Sequence, residues 1–168
     1  MAYTYELITS NTVGSGGTAS ITFSSIPQTY TDLIVKMSTR CSFDWLLCEF
    51  NNSGGTAYSQ QYLRHDGQTV TAGTQNSKPA AYATITGMSV TTSAFGNAEI
   101  YISDYAGSNK KSISGDGVAE ADQTGAYNYY TASMWDNTAA ITQIKLTKSD
   151  AANFEQYSTF YLYGIKNS

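Results

Sequence analysis

The chain carries one histidine, His65, within Arg64-His-Asp-Gly67. General-base or triad chemistry would need that imidazole oriented by a carboxylate and set against a nucleophile. Asp66 is its direct neighbour, and neighbours on a strand point to opposite faces. No Gly-x-Ser-x-Gly elbow occurs, so His65 reads as a structural or surface residue. Glycoside hydrolysis would need two carboxylates facing a cleft. Glu49, Glu99, Asp104, Asp116, Glu120 and Asp122 are available, but their spacing shows no convergence. Gly115-Asp-Gly-Val-Ala-Glu-Ala-Asp122 offers oxygens to a calcium ion, yet lacks the EF-hand ligand order. Gly14-Ser-Gly-Gly17 precedes no helix and is not a phosphate cradle. No catalytic, cofactor-binding or metal-ligating residue is assigned.

Cys41 and Cys48 flank Ser-Phe-Asp-Trp-Leu-Leu. On one straight strand they would lie on opposite faces, too distant to bond; a turn at Phe43-Asp44 could bring them together. A reducing compartment favours two buried thiols. Trp45 and Trp135 have the chemistry to stack on sugar rings. Trp45, in Asp-Trp-Leu-Leu, reads better as a core anchor. Trp135, before Asp136-Asn137, could equally be an exposed platform.

The elements that would position these residues are strands. Ala19, Ile21 and Phe23 alternate with Ser20, Thr22 and Ser24. The same period of two recurs in Ala98, Ile100 and Ile102, in Ile144 and Leu146, and in Phe160 and Leu162. Further strands are expected over Tyr5 to Thr9, Leu33 to Ser38, Leu46 to Asn51, Tyr58 to His65, Tyr82 to Met88 and Tyr127 to Trp135. Gly14-Ser-Gly-Gly17, Asn51-Asn-Ser-Gly-Gly55, Asp66-Gly67, Gly107-Ser-Asn109, Gly115-Asp-Gly117 and Asp136-Asn137 read as the turns between them. Pro27 falls between two strands. One helical turn is expected near Ser149-Asp-Ala-Ala-Asn153. About ten short strands with these turns predict an all-β fold, a single antiparallel β-sandwich spanning residues 1–168. A jelly-roll-like topology is expected because both terminal strands look central.

At 168 residues the chain can bury a core without a disulfide or metal staple. Charged residues are 13%, about half the usual soluble fraction. Net charge is −4 and the nine basic residues are scattered, so no phosphate-binding patch forms and nucleic acid is not an expected partner. No apolar run approaches a membrane span. Met1-Ala-Tyr-Thr-Tyr lacks signal-peptide features, which points to assembly in a cytoplasm.

Tyrosines number 14, and several are expected on solvent-facing sides of strands: Tyr127, Tyr129, Tyr130, Tyr161 and Tyr163. With Trp135 they form the candidate interface. Tyrosine enrichment with few charges is a signature of contact surfaces. The competing reading is that long loops of the same chain cover these faces.

Four segments carry a family resemblance. They are Ser15-Gly-Gly-Thr-Ala-Ser-Ile-Thr-Phe-Ser-Ser-Ile-Pro-Gln-Thr-Tyr-Thr-Asp-Leu33; Phe50-Asn-Asn-Ser with Tyr58-Ser-Gln-Gln-Tyr-Leu-Arg-His-Asp-Gly67; Ile100-Tyr-Ile-Ser-Asp-Tyr105 before Asn109-Lys-Lys111; and Ser158-Thr-Phe-Tyr-Leu-Tyr-Gly-Ile165. Together they resemble small virion structural proteins of tailed bacteriophages, those of cyanophages among them. The resemblance implies a non-enzymatic β-sandwich in the virion, assembled in the host cytoplasm. Some such proteins are capsid decoration (cement) proteins, and the expected partners would then be the major capsid protein and copies of the chain itself. The alternative is a tail or fibre module that binds a cell-surface glycan.

Overall fold

A computed structural model describes residues 5–41, 45–85, 94–121 and 125–166. It contains twelve strands: β1 (Tyr5–Thr12), β2 (Ser20–Phe23), β3 (Asp32–Thr39), β4 (Trp45–Phe50), β5 (Tyr58–His65), β6 (Val70–Lys78), β7 (Ala81–Ile85), β8 (Gly96–Ile102), β9 (Lys111–Ala121), β10 (Gly125–Trp135), β11 (Ile144–Lys148) and β12 (Thr159–Ile165). They form an eight-stranded sheet, β1-β12-β3-β8-β9-β10-β5-β6, and a four-stranded sheet, β2-β11-β4-β7. Every pairing is antiparallel.

Eight of these strands make a jelly roll. Within them the first pairs with the last (β1·β12), the second with the second-last (β2·β11), then β3 with β8 and β4 with β7. A long antiparallel ribbon rolled on itself gives this nesting, with successive pairs in alternate sheets. Two hairpins, β5–β6 and β9–β10, are inserted into the roll. They prolong the larger sheet past β8.

Alternation decides which side chains fill the space between the sheets. Leu33, Val35, Ile100, Ile102, Ile144, Leu146, Phe160 and Leu162 are all buried in one cluster with Leu46, Phe50 and Trp135. Of these, Ile100, Ile102, Ile144, Leu146, Phe160 and Leu162 are the alternating residues expected from the period of two. The inserted hairpins have a smaller core of their own. There Trp45 meets Tyr129 at 4.4 Å, Tyr62 at 5.2 Å and Tyr82 at 5.5 Å, each nearly edge to face. Such pairs add about 0.5–1.5 kcal/mol each beyond burial.

The sheets touch where β7 crosses the inserted hairpins. Thr131 donates its hydroxyl proton to the Ala83 carbonyl at 2.6 Å, and the Gln60 side-chain carbonyl accepts the Tyr82 N–H at 2.6 Å. These bonds satisfy backbone groups that an edge strand would otherwise leave open. A Cβ on Gly115 would lie 1.8 Å from the same Ala83 oxygen. That contact explains a glycine inside a strand.

Four expectations need correction. Gly115-Asp-Gly117 is not a turn but lies within β9. Ser149-Asp-Ala-Ala-Asn153 is not helical: Asp150 accepts the Ala152 N–H and Ala151 sits at φ 59°, so the chain reverses there. Of the two terminal strands, β12 is interior to its sheet but β1 is an edge. Strands β6 and β9 were not expected, and they raise the count above ten. Met88, the expected end of the strand begun at Tyr82, lies outside the described residues, as does the Phe43-Asp44 turn.

Candidate interaction surface

The outer face of the larger sheet is built by the residues that alternate with its core. Register places Tyr161, Lys36, Glu99, Asp116, Tyr130, Leu63 and Ala72 in one row across seven strands. A second row runs Tyr163, Ile34, Tyr101, Ser114, Ala132, Gln61 and Thr74.

Each end of this face is apolar. At the β1–β12 end, Leu7 is in register with Tyr163, and Tyr5, Lys36 and Tyr163 line one depression. The rings of Tyr161 and Tyr163 lie 6.4 Å apart and nearly parallel, at 28°. Ile34 is buried although it has outward parity, in register between Tyr163 and Tyr101. At the other end Leu63, Val70, Val118, Tyr130 and Met134 are all exposed. Between the two patches runs a charged strip. Lys36 Nζ bonds Glu99 at 2.9 Å, and Asp116 is the cross-strand neighbour of Glu99. Partial burial, then the Glu99 charge, raise the Asp116 pKa, against the pull of Lys36. At the rim, Tyr101 donates its phenolic proton to Asp32 at 2.6 Å, which with burial holds its pKa up at about 12.

The six aromatic residues expected at an interface divide by strand parity. Tyr130 (57% exposed), Tyr161 and Tyr163 belong to the outer face. Tyr129 and Trp135 do not; both are buried between the sheets. Trp135 packs on Phe50 at 5.4 Å and stacks on Tyr58 at 6.2 Å. It is a core anchor and offers no exposed platform. Tyr127 shares its parity and is half-buried against the small core with Trp45 and Tyr62. The candidate interface is therefore corrected for these three. The physical reason is that β10 is covered on one face by β4 and β7, so its odd-numbered residues point inward. Leu63, Val70, Val118 and Met134 went unremarked as surface residues. Only the shared parity of Leu63 with Ser59 and Gln61 on β5 signalled an outward position.

The chemical candidates are placed as follows. The His65 Nδ1 accepts the Gly67 N–H at 3.3 Å, while Asp66 accepts the N–H groups of Gln68 and Thr69. Asp66 is thus committed to the hairpin turn and does not orient the imidazole. Glu99 and Asp116 meet, but on an open sheet face and not across a cleft. Glu49 accepts the Gly54 N–H at 3.0 Å. The stretch considered for calcium runs along β9 as an extended strand through Ala121 and not as a ligand loop; Asp122 lies outside the described residues. Among the described residues no group of three or more His, Cys, Asp or Glu could hold a metal. Cys41 and Cys48 are both buried thiols, and burial pushes the Cys48 pKa up. No helix among the described residues is long and apolar enough to cross a membrane.

Comparison with known proteins yields no matching family model, no matching curated protein and no matching solved structure.

Proposed function

We propose that the chain is a non-enzymatic structural protein of a phage virion, a decoration or cement protein bound to the outside of the capsid. The observation that carries this reading is the outer face of the eight-stranded sheet. It has two exposed aromatic and aliphatic patches and one narrow charged strip. A face of this kind suits a static contact, in which desolvated aromatic anchors supply most of the energy. A standard interface buries about 800 Å² on each partner. Low surface charge keeps such a contact insensitive to salt. The resemblance of Ser15 to Leu33 and Ser158 to Ile165 to phage structural proteins supplies the setting. The expected partners are the major capsid protein and other copies of the chain.

Co-sedimentation with purified capsids tests this. The protein is expected to pellet with capsids, and Tyr161→Ser with Tyr163→Ser is expected to weaken pelleting. Failure of the unsubstituted chain to bind any capsid surface would overturn the reading.

A glycan-binding module of a tail or fibre is the second reading. It loses Trp135 as a stacking platform and rests on the near-parallel Tyr161 and Tyr163 pair. Retention on immobilised host polysaccharide, abolished by the same two substitutions, would favour it instead.

A further inference from the structure

A free sheet edge presents unpaired N–H and C=O groups and templates pairing with another strand unless something blunts it. Among the described residues the two sheets have four edges, and three of them are blunted. The edge of β7 is met by Gln60 and Thr131. β2 has only four residues. β1 carries Glu6 and an irregularity between Leu7 and Thr9. β6 differs from all of these. From Val70 to Ser77 it reads Val-Thr-Ala-Gly-Thr-Gln-Asn-Ser, without a charge or a proline. It pairs regularly with β5 from Val70 to Gln75, and its irregular part lies beyond, towards Lys78. Among the described residues no strand lies outside it.

We propose that β6 is a self-association edge, where two copies of the chain pair β6 to β6 across a two-fold axis and join their larger sheets. Three features favour a second copy as occupant. The first is charge. Asp66, in the turn before β6, and Lys78, at its end, bracket an uncharged strand with opposite signs. Antiparallel self-pairing sets the Asp66 end of each copy beside the Lys78 end of the other; Arg64, the nearest other charge, sits one strand further in.

The second feature is parity. Val70, Ala72 and Thr74 are exposed while Thr71, Gly73 and Gln75 are half-buried. For two copies to keep their outer faces on one side, the axis must lie opposite a single residue. Centred on Ala72, it sets Val70 of each copy against Thr74 of the other, a β-branched pair on both sides. The third is continuity. Val70, 64% exposed, and Leu63 lie next to this edge. Pairing therefore merges the apolar patches of two copies into one surface.

The test is the mass of the full chain in solution by light scattering, across a concentration series, with hydrogen exchange of the β6 amides. The expected result is a species at twice the 18.1 kDa of the chain, with β6 amides protected more strongly as concentration rises. Ala72→Lys sets like charges against each other at the axis and is expected to return the monomer with an unchanged circular dichroism spectrum. Thr74→Lys is expected to do the same. Leu7→Lys, on the opposite edge, is expected to leave the dimer intact. A monomer at all concentrations would overturn the proposal. So would a dimer that survives both β6 substitutions, or one lost only on changing Leu7. The inference rests on the self-association that the virion reading expects, and the two fail separately: capsid binding by a monomer would contradict this pairing alone.

Discussion

At the scale of single residues, the two faces of each strand have opposite tolerance to charge. Ile102 and Leu162 are fully buried in the principal core. Ile102→Asp or Leu162→Asp forces an unpaired carboxylate into that core. A loss of more than about 4 kcal/mol is expected, seen as a collapsed thermal transition in circular dichroism. An unchanged melt would refute the burial. Asp116, on the outer face, has a different effect. Its folded-state pKa is raised, so the native state holds the proton more firmly than the unfolded state. Stability therefore falls as pH rises from the reference value of 3.8 through the raised value, and stays reduced above it. Asp116→Asn is expected to flatten that slope and raise the melting temperature slightly at neutral pH. A steeper slope in the variant would contradict the assigned sign.

At the scale of elements, the seam between β7 and the inserted hairpins is the tightest point in the fold. Gly115→Ala would drive a Cβ against the Ala83 carbonyl. Overpacking against backbone costs about 2–3 kcal/mol, so the melting temperature should drop by about 5–10 °C in a domain of this size. An unshifted melt would mean that the sheets separate easily at this seam. Turn chemistry was the most legible part of the sequence at this scale. Asn51, Asn52, Gly54 and Gly55 all have positive φ, as the run Asn-Asn-Ser-Gly-Gly implies. Asn51 also accepts N–H groups from Thr142 and Gln143 and donates to the Ala140 carbonyl, pinning the approach to β11. The strands with clean alternation were legible too. β6 and β9 were not. Val-Thr-Ala-Gly-Thr-Gln lacks large apolar residues because one side of this edge strand faces water and the other is only half-buried, with Tyr62 over Gly73 and Gln75 accepting the Gln60 side-chain N–H. The glycines of β9 imitate turn residues, yet Gly115 is there because β7 passes against it.

At the scale of the whole molecule, the alternation of β12 gives it its interior place, while β1, exposed almost throughout, pairs with it as an edge. What the sequence could not carry is which face of β10 is covered. That depends on the position of β7, and it decides that Tyr130 is exposed while Tyr129 and Trp135 are buried. Tyr130 thus joins Tyr161 and Tyr163 on the outer face of the larger sheet. Tyr161→Ser combined with Tyr163→Ser is expected to keep the melting temperature within a few degrees while reducing capsid binding. Loss of solubility would instead assign these rings to the fold. The most direct measurement of the proposed virion role is immunogold labelling of intact particles of a phage whose genome carries this gene. Regular labelling over the head is the predicted result. Labelling confined to the tail or fibres, or no labelling of particles that contain the protein's gene, would contradict the account.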